Sequence, residues 1–349
     1  MVAGHSSIKR IVHRIGEECR STAEIARLTS WPEALETFMA KVDIQMMNRN
    51  GFKEPPAVRN RLVHKHEILM KYFEQRYGRF ADEYDFHAPM QASDPALEGK
   101  IWTCWWQGLD QAPEIVKWCV ESIKRNAGGR EVIIITDENY ERYVHIPQWV
   151  KEKQKAGIIT RTHLSDLLRF MLLSQYGGLW LDSTFFCTGS LEDVAFASSL
   201  WSIKRPDYFH ASVAQGYFAN YSFACHSDKR WVFAAIRDFV LEYWRTNDSM
   251  VDYLFVDYLI TLAIRHDTAM KEAFAAIPSN NPNCDELFKV LGKPYDERLW
   301  GKIGKETSLF KLTWKQVFPV EPDVYLEVQH PCWSCNSNSS SANASAGVR

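Results

Sequence analysis

Apolar residues recur along this chain at two different spacings, and the change between them divides the sequence. Over residues 1–98 they recur every three or four positions, which is typical of amphipathic helices. The pattern is clearest in IKRIVHRI, near the start, and in RNRLVHKHEILMKYFEQRYGRF, which follows Pro55 and Pro56. Because no strand pattern interrupts these segments, we predict a helical N-terminal region.

From residue 99 onward, short apolar runs alternate with amphipathic stretches. IWTCWW, PEIVKWCVESIKRN and EVIIIT follow one another as strand, helix and strand. This order predicts an α/β fold with a Rossmann-type layer, which we place at residues 99–330. Two further helices are predicted from DKRWVFAAIRDFVLEYWR and VDYLFVDYLITLAIR. From Asn336 the chain, NSNSSSANASAGVR, lacks the large apolar side chains that a core requires, so we predict a disordered tail, which we place at residues 331–349.

Composition and charge narrow the class of partner. A chain of 349 residues with 46% hydrophobic and 24% charged residues is typical of a globular protein with a substantial core. The 41 Lys and Arg against 43 Asp and Glu give a formal net charge of -2, so the basic field needed to bind nucleic acid is missing. We expect no nucleic-acid partner. The 13 Trp residues suit stacking on a sugar or base as well as core packing.

The sequence carries no recognisable targeting or membrane-spanning segment. The first residues, MVAGHSSIKRIVHRI, lack the apolar core of a secretory signal, and no window approaches 18 uninterrupted apolar residues. Eight scattered cysteines do not resemble a disulfide framework, so we predict a cytoplasmic protein with reduced thiols. His330, Cys332 and Cys335 supply only three of the four ligands of a structural zinc site, and zinc is not expected.

The first predicted helix leaves one alternative open. Lys9, Arg10 and Arg14 lie between its apolar positions, as in helices that bind a membrane surface. Glu17 and Glu18 follow at once and weaken that interpretation. Docking of the apolar stripe on the body of the protein is therefore favoured, and peripheral membrane contact is the alternative.

The segment THLSDLLRFMLLSQYGGLWLDSTFF, residues 162–186, holds the candidate chemistry. Apolar residues cover both sides of its predicted helix, which Gly177 and Gly178 end, so the helix should be buried. Asp166 and Arg169 are three residues apart and lie on one flank of this helix. Because buried charges must be paired or must meet a ligand, the two residues indicate a site.

A short strand is predicted after the glycines, from Leu179 to Leu181. It places Asp182 at its carboxyl end, where open α/β sheets bind their ligands. A carboxylate at that position can hold a divalent cation, which in turn binds a diphosphate. The structural alternative is that Asp182 caps the next turn.

The ordered motifs of this chain resemble a known group of enzymes. SDLLRF followed by YGGLWLDST is similar to the SDxxRxxxLxxxGGxYxDxD segment of retaining glycosyltransferases with the GT-A fold, which include DXD-containing fungal mannosyltransferases and glucosylating clostridial toxins. Still more similar is the bacterial capsular polysaccharide synthesis protein family, in which IWTCWWQG, the following helix, VIIIT, IPQWV, this segment and KLTWK are expected in this order. The resemblance spans residues 99–318.

The resemblance implies a GT-A-like nucleotide-sugar-binding domain and a function. The protein would be a hexosyltransferase-type enzyme that moves a sugar from a nucleotide-diphosphate donor to a hydroxyl of a glycan or glycolipid acceptor, with retention. The alternative is a non-catalytic nucleotide-sugar or glycan-binding protein with a degenerate metal site. Turnover of the donor distinguishes the two.

The resemblance also implies roles for individual residues. Asp166 and Arg169 would contact the hydroxyls of the donor sugar, and Trp180 would replace the aromatic residue of the motif in the donor site. Asp182 would be catalytic, binding Mn²⁺ or Mg²⁺ and the diphosphate. The second acid of DxD is Thr184 here, and its neutral hydroxyl is a weaker ligand, so a weaker metal site is expected.

Three tryptophans lie in or just after the first predicted strand, where the resemblance places a nucleotide-binding loop. An indole can stack on a base, and Gly108 allows close approach of the backbone. Strand alternation puts Trp102 and Trp106 on one face and Trp105 on the other. We expect Trp102 in the core, and either Trp105 or Trp106 as the donor-stacking residue.

Two candidates come from later segments. Asp252 and Asp257 are five residues apart, about 140° around a helix, so only one should face a cleft. The family carries a DYF-like segment that matches Asp252 and Tyr253, and Asp252 is assigned a catalytic role at the acceptor or reacting face; a solvated helix charge is the alternative. Lys315 of KLTWK is a candidate partner for the diphosphate, with simple exposure as the alternative.

Overall fold

The structure is a computed structural model that describes residues 3–49, 51, 53–205 and 210–315. Three long helices come first: α1 (Ala3–Leu28), α2 (Trp31–Arg49) and α3 (Pro56–Glu83). Proline suits the first turn of α3 because the N–H that it lacks would have no helical partner there. The helical N-terminal region predicted from the sequence is confirmed.

Short strands and shorter helices alternate through the rest of the described chain. The strands are β1 (Ile101–Cys104), β2 (Val132–Ile135), β3 (Gly178–Leu181), β4 (Phe185–Cys187), β5 (Leu200–Ser202), β6 (Ser222–Cys225) and β7 (Leu309–Lys311). The helices are α4 (Glu114–Arg125), α5 (Gln148–Lys155), α6 (Arg161–Tyr176), α7 (Leu191–Ala195), α8 (Arg230–Thr246), α9 (Phe255–His266), α10 (Thr268–Ala275) and α11 (Glu297–Ile303).

Five strands form one sheet in the order β2-β1-β3-β6-β5. Strand β1 runs parallel to β2 and β3, whereas β6 runs antiparallel to both β3 and β5. Strands β4 and β7 form a separate antiparallel pair, with Phe185 opposite Lys311. The α/β class predicted from the alternating pattern is confirmed, and the parallel strands place the carboxyl end of β3 beside that of β1.

The sheet is buried on both faces, as its almost wholly apolar strands require. Trp102 and Trp180 pack into the apolar core that includes α6 and α8, whereas Ile101 and Leu179 face the opposite core. Successive strand residues point to opposite faces, which accounts for this separation. Trp102 is completely buried, as expected, and its indole N–H donates to the carbonyl of Gly177 at 3.1 Å.

The turn from α6 to β3 depends on two glycines. Gly177 and Gly178 adopt φ values of 65° and 89°, in the left-handed region that other residues avoid. A Cβ atom on Gly178 would lie 2.1 Å from the carbonyl oxygen of Lys100, at the start of β1. The glycine pair therefore ends the helix, as predicted, and also lets β3 approach β1.

The N-terminal helices share their core with later helices. Phe73 of α3 stacks on Tyr258 of α9, with ring centroids 5.3 Å apart, and lies 6.2 Å from Tyr243 of α8. All three rings are buried. Helix α3 is therefore one of the surfaces that fix the position of α9, which contributes to the site described below.

Helix α9 begins later than the sequence pattern predicts. The run VDYLFVDYLI suggests helix from Val251, whereas α9 begins at Phe255. Asp252 lies in the preceding turn, where its Oδ1 accepts the N–H of Leu254 at 2.9 Å. The separation of 140° between Asp252 and Asp257, which assumes a continuous helix, is therefore wrong.

Several other predictions concern residues at the ends of the chain. The six cysteines within the described ranges are free thiols. In the same ranges no helix is both long enough and apolar enough to cross a membrane. The disordered tail at 331–349, the three-ligand cluster at 330–335 and the side chains of Lys9, Arg10 and Arg14, on which the membrane alternative rests, all lie outside what the structure describes.

Candidate functional site

Asp182 is fixed at the carboxyl end of β3 by its own backbone. Its N–H donates to the carbonyl of Tyr221 at 3.2 Å, and its carbonyl accepts the N–H of Phe185 at 3.0 Å, which closes the tight turn into β4. The side chain is 30% exposed. Its Oδ1 accepts the indole N–H of Trp180 at 3.1 Å. Asp182 therefore stands at the sheet edge where α/β proteins bind ligands.

Arg169 of α6 connects the polar groups at this edge. One terminal nitrogen of its guanidinium donates to Oδ1 of Asp166 at 3.0 Å and to the side-chain oxygen of Asn220. The other donates to Oδ1 of Asp182 at 3.1 Å. The guanidinium is buried and lies 5.2 Å from the ring centre of Trp180. A planar group with several donors suits this position, because it holds two carboxylates in fixed relative positions.

Lys311 of β7 occupies the other side of Asp182. Its Nζ donates to Oδ2 of Asp182 at 2.9 Å and to the hydroxyl of Thr184 at 2.6 Å. The two oxygens of the Asp182 carboxylate are thus directed at two different cations, Arg169 on Oδ1 and Lys311 on Oδ2. The side-chain oxygens of Asp182 face these cations instead of capping the turn.

The charges of this cluster shift the pKa values of its acids in opposite directions. Burial alone would raise the pKa of Asp182, but the Lys311 and Arg169 charges outweigh it and hold this pKa below its usual value. For Asp166, burial dominates and raises the pKa to about 6, although Arg169 opposes the shift. Asp182 is therefore a fixed negative charge, whereas Asp166 titrates near neutral pH.

A third acid, Asp257 of α9, belongs to the same cluster. It is buried, and the side chain of Asn220 donates a hydrogen bond to it. Burial first, and then the charge of Asp166, raises the pKa of Asp257 to about 7, against the opposing effect of Arg169. Asn220 thus links Arg169 to Asp257, and the cluster extends from α6 across to α9.

The predicted residue Asp252 is not brought into this cluster. Its Oδ2 lies 3.0 Å from the Nζ of Lys65 on α3, and both side chains are buried. Sequence reasoning recognised that one of the two acids should face a cleft and chose Asp252, yet the acid that bonds to Asn220 of this cluster is Asp257. The catalytic role assigned to Asp252 stays a prediction.

The two candidate stacking residues have different surroundings. Trp106 is buried: its indole N–H donates to the hydroxyl of Ser165 at 2.8 Å, and Arg161 lies 5.1 Å from its ring centre. Trp105 is half-buried and meets the exposed Trp314 edge to face at 5.9 Å. Only the Trp105 side of this loop therefore presents aromatic surface to solvent.

Lys315 is not placed beside Asp182. Its side chain is exposed, and its backbone N–H donates to the hydroxyl of Thr313 at 3.2 Å. The lysine that reaches Asp182 is Lys311, at the start of the same KLTWK segment. Because β7 pairs with β4, Lys311 at the start of the segment lies next to the turn after β3.

Comparison with known proteins establishes the family of this chain. The family model described as "Capsular polysaccharide synthesis protein" matches residues 49–327. The chain belongs to this capsular polysaccharide synthesis protein family. The match confirms the resemblance inferred from the ordered motifs, and it begins earlier than expected, so that it includes α3.

Two individual proteins show more limited similarity to this family member. The O-glycosyltransferase PaGT of Phomopsis amygdali is 30% identical over 106 residues, which are 28% of this chain and 26% of PaGT. The chain therefore matches about a quarter of the length of that relative. A solved structure titled PaToxG Glycosyltransferase has a TM-score of 0.34 and 14% identity, covering 70% of this chain and 98% of the other.

As they are arranged in this protein, the side chains around Asp182 do not fit a divalent cation. Hard cations are bound by several oxygen ligands, usually including one or two carboxylates. Here both oxygens of the Asp182 carboxylate accept hydrogen bonds from cationic groups, and the hydroxyl of Thr184 accepts from Lys311. Among the described residues no group of three or more His, Cys, Asp or Glu could hold a metal ion.

Three members of the cluster were missed by sequence reasoning. Asp257 could have been found from its spacing had the start of α9 been known. Lys311 lies in a motif that had been noticed, but only the pairing of β7 with β4 distinguishes it from Lys315. Asn220 precedes β6 in a loop, and no signal in the sequence marks it.

Proposed function

We propose that this protein is a hexosyltransferase that moves a sugar from a nucleotide-diphosphate donor to a hydroxyl of a glycan or glycolipid, with retention of anomeric configuration. Membership of the capsular polysaccharide synthesis protein family supports a role in glycan synthesis, and similarity to the O-glycosyltransferase PaGT supports transfer to oxygen. We place the protein in the cytoplasm, with peripheral membrane contact as the alternative.

One observation carries the proposal: Arg169 holds two carboxylates together at the carboxyl end of β3. Asp166 and Asp182 are 16 residues apart in the sequence, yet a single guanidinium bonds to both. A buried charged group that is fixed on several sides is well suited to orient a polar ligand. In the proposed complex, Asp166 and Arg169 bind the hydroxyls of the donor sugar, and Asp182 lies on the diphosphate side.

The proposed transfer breaks the bond between the anomeric carbon and the β-phosphate oxygen, whose electron pair goes to the phosphate. The acceptor oxygen forms a bond to the anomeric carbon, and its proton passes to the departing phosphate. Negative charge grows on the diphosphate during this step, so fixed positive charge beside it lowers the barrier. Arg169 supplies such charge, and its burial strengthens the effect.

Carboxyl groups on the side of Arg169 opposite the diphosphate would contact the reacting sugar. Asp257 is on this side and is linked to Arg169 through Asn220. We assign Asp257 to the reacting face of the sugar, the role predicted for Asp252 from the family resemblance. Tyr253, next to Asp252 in the turn before α9, is 66% exposed and lies 5.8 Å from the ring of His163. An exposed ring near these acids suits stacking on an acceptor sugar.

Aromatic contacts with the donor are proposed at two places. The half-buried Trp105 packs edge to face with the exposed Trp314, and the exposed aromatic surface of this pair suits stacking on the base. Trp106 is the second candidate for the base, but its buried ring would first have to move. Trp180 is buried and donates to Asp182, so its proposed contribution to donor binding is to orient that carboxylate.

Two partners for the diphosphate follow from the sequence: Mn²⁺ or Mg²⁺ held at Asp182, and the ammonium of Lys315. The cation meets the difficulty that both oxygens of Asp182 are already engaged. The side chain of Lys315 is exposed, and it would have to move to contact a bound donor.

A screen of nucleotide sugars tests the proposed function directly. Thermal unfolding is followed with a panel of uridine, guanosine, adenosine and cytidine diphosphate sugars, and donors that raise the melting temperature are assayed for slow hydrolysis and for transfer. We expect at least one donor to bind and to be turned over, and Arg169→Ala to lose both properties. Binding without turnover would support the non-catalytic alternative, and no binding across the panel would refute both.

A further inference from the structure

Lys311 belongs to the cluster around Asp182 but has no role in the proposed function described above. It is held from both sides by the backbone: its own N–H donates to the carbonyl of Cys284 at 2.9 Å, and the N–H of Leu312 donates to the carbonyl of Thr184 at 2.9 Å. These bonds, with the pairing of β7 and β4, fix the backbone of Lys311 next to the turn that carries Asp182.

The ammonium of Lys311 is also fixed at its tip. It lies 5.4 Å from the ring centres of both Phe185 and Tyr221, besides donating to Asp182 and Thr184. Aromatic faces attract cations, so this position is favourable without a bound ligand. The cation is therefore preorganised, which is the property that makes a charge effective in catalysis.

Lys311 still has the capacity to bind a ligand. An ammonium group has three N–H donors, and within the described residues two of them are used, on Asp182 and Thr184. The side chain of Lys311 is 23% exposed, and that of Asp182, to which it donates, is 30% exposed. A phosphate oxygen that approaches Asp182 from solvent can therefore accept the third hydrogen bond.

The neighbours of Lys311 are those that a divalent cation would have. A cation at this position would be bound by Asp182, by the residue two positions later, and by oxygens of the diphosphate. In this chain that later residue is Thr184, and its hydroxyl and Oδ2 of Asp182 both accept from the Lys311 ammonium. Lys311 therefore places a positive charge at Oδ2 of Asp182, whereas Arg169, which also pairs with Asp166, contacts Oδ1.

We propose that the ammonium of Lys311 binds the donor diphosphate in place of a divalent cation, so that this protein binds and uses its donor without metal. The inference rests on the proposed function, since it concerns the leaving group of the same transfer. Lys311 donates to a diphosphate oxygen in the bound donor and stabilises the charge that grows there when the bond to the sugar breaks.

Calorimetry with nucleoside diphosphates tests this proposal on the full chain. UDP, GDP, ADP and CDP are titrated into the protein in excess EDTA and again with Mn²⁺. We expect any nucleotide that binds to have dissociation constants that agree within about twofold in the two buffers. The positive charge at the diphosphate is then supplied by the ammonium of Lys311 and not by a metal ion. Binding that requires Mn²⁺ would overturn the role of Lys311 but leave the proposed function intact. Failure of every nucleotide in both buffers would refute the proposed function as well.

Two substitutions at Lys311 sharpen the test. Lys311→Met keeps most of the side-chain volume, and we expect it to weaken nucleotide binding in EDTA by about tenfold or more, since a charge-assisted hydrogen bond is lost. Lys305→Met, which removes an exposed lysine of the same charge from the end of α11, is the matched control and should bind as the unmodified protein does. Unchanged binding by Lys311→Met would contradict the proposal.

The second substitution, Lys311→Glu, reverses the charge. It places two carboxylates and the Thr184 hydroxyl together, which is a set of hard oxygen ligands. We expect nucleotide binding by this variant to become dependent on Mn²⁺. If either variant fails to fold, the comparison of EDTA and Mn²⁺ on the unmodified protein decides the question alone.

Discussion

The Nζ of Lys65 lies 3.0 Å from Oδ2 of Asp252, and the two side chains are 0% and 3% exposed. Burial alone would raise the pKa of Asp252, but the charges of Lys65 and Lys41 hold it below its usual value, so the carboxylate is ionised. Within the described residues the ammonium of Lys65 makes no hydrogen bond of regular geometry, so the pair rests on charge at short distance. This ion pair ties α3 to the turn before α9.

The main effect of Asp252→Asn should therefore be to lower the stability of the fold. Breaking a buried ion pair leaves an uncompensated charge, and we expect the free energy of unfolding to fall by about 3 to 5 kcal/mol. Urea denaturation measures this, with Asp248→Asn as the control, because Asp248 forms an exposed pair with Lys153 worth about 1 kcal/mol or less. A stable Asp252→Asn protein that binds donor but fails to transfer would instead support the catalytic role predicted from the sequence.

Arg169→Lys should keep the fold and lose donor recognition. The lysine retains the charge but cannot reach Asp166, Asn220 and Asp182 in one plane. We expect donor affinity to fall by about tenfold or more, because one hydrogen bond to a charged group contributes about 1.5 to 3 kcal/mol. Calorimetry with the donor found in the screen measures the change.

The matched control for that experiment is Arg130→Lys. Arg130 also makes a two-pronged contact, with Glu192, on a different part of the surface. Its replacement should leave donor affinity unchanged. Equal donor affinity in Arg169→Lys and the unmodified protein would remove Arg169 from the donor site.

Asp257 should make stability depend on pH between about 4 and 7. Its pKa is about 7 in the folded protein, against an ordinary value of 3.8 in the unfolded chain, so the folded state holds an extra proton in this range. Stability therefore falls as pH rises through the window. Asp257→Asn should remove this component and be more stable than the unmodified protein at pH 8, by on the order of 4 kcal/mol.

Urea denaturation at pH 5 and pH 8 measures this difference for both proteins. Asp182 does not interfere, because its lowered pKa confines its own contribution to pH values below about 4, where stability is lost as pH falls. Parallel pH profiles for the unmodified protein and Asp257→Asn would show that Asp257 is not the titrating group.

Gly178→Ala should prevent normal folding or destabilise the protein severely. The new Cβ would meet the carbonyl oxygen of Lys100 at 2.1 Å, and the φ of 89° is unfavourable for alanine. Gly108→Ala is the comparison: its φ of 79° is similar, but no atom lies within 4 Å of the added Cβ, so only the conformational strain of about 1 to 3 kcal/mol applies. Similar melting temperatures for the two variants would argue against close packing of β3 on β1.

The parts of the site that the sequence predicted are those built from neighbouring residues. Helix α6, the glycine pair and the strand before Asp182 follow one another within a single segment, and their pattern depends on helical periodicity and backbone conformation alone. The same segment carries Asp166, Arg169 and Asp182, so their proximity also follows from local structure. The α/β class was predictable for the same reason, since strand and helix patterns alternate along the chain.

The tertiary structure decided which distant residues complete the cluster. Lys311 is 129 residues from Asp182 and reaches it only because β7 pairs with β4 in one register, whereas Lys315, in the same motif, remains exposed. Asp257 enters the site and Asp252 does not, because the pair with Lys65 draws Asp252 toward α3 and α9 begins only at Phe255. Local sequence determines how each element forms and which side chains it carries, but strand register and long-range ion pairs depend on the packing of all the elements together.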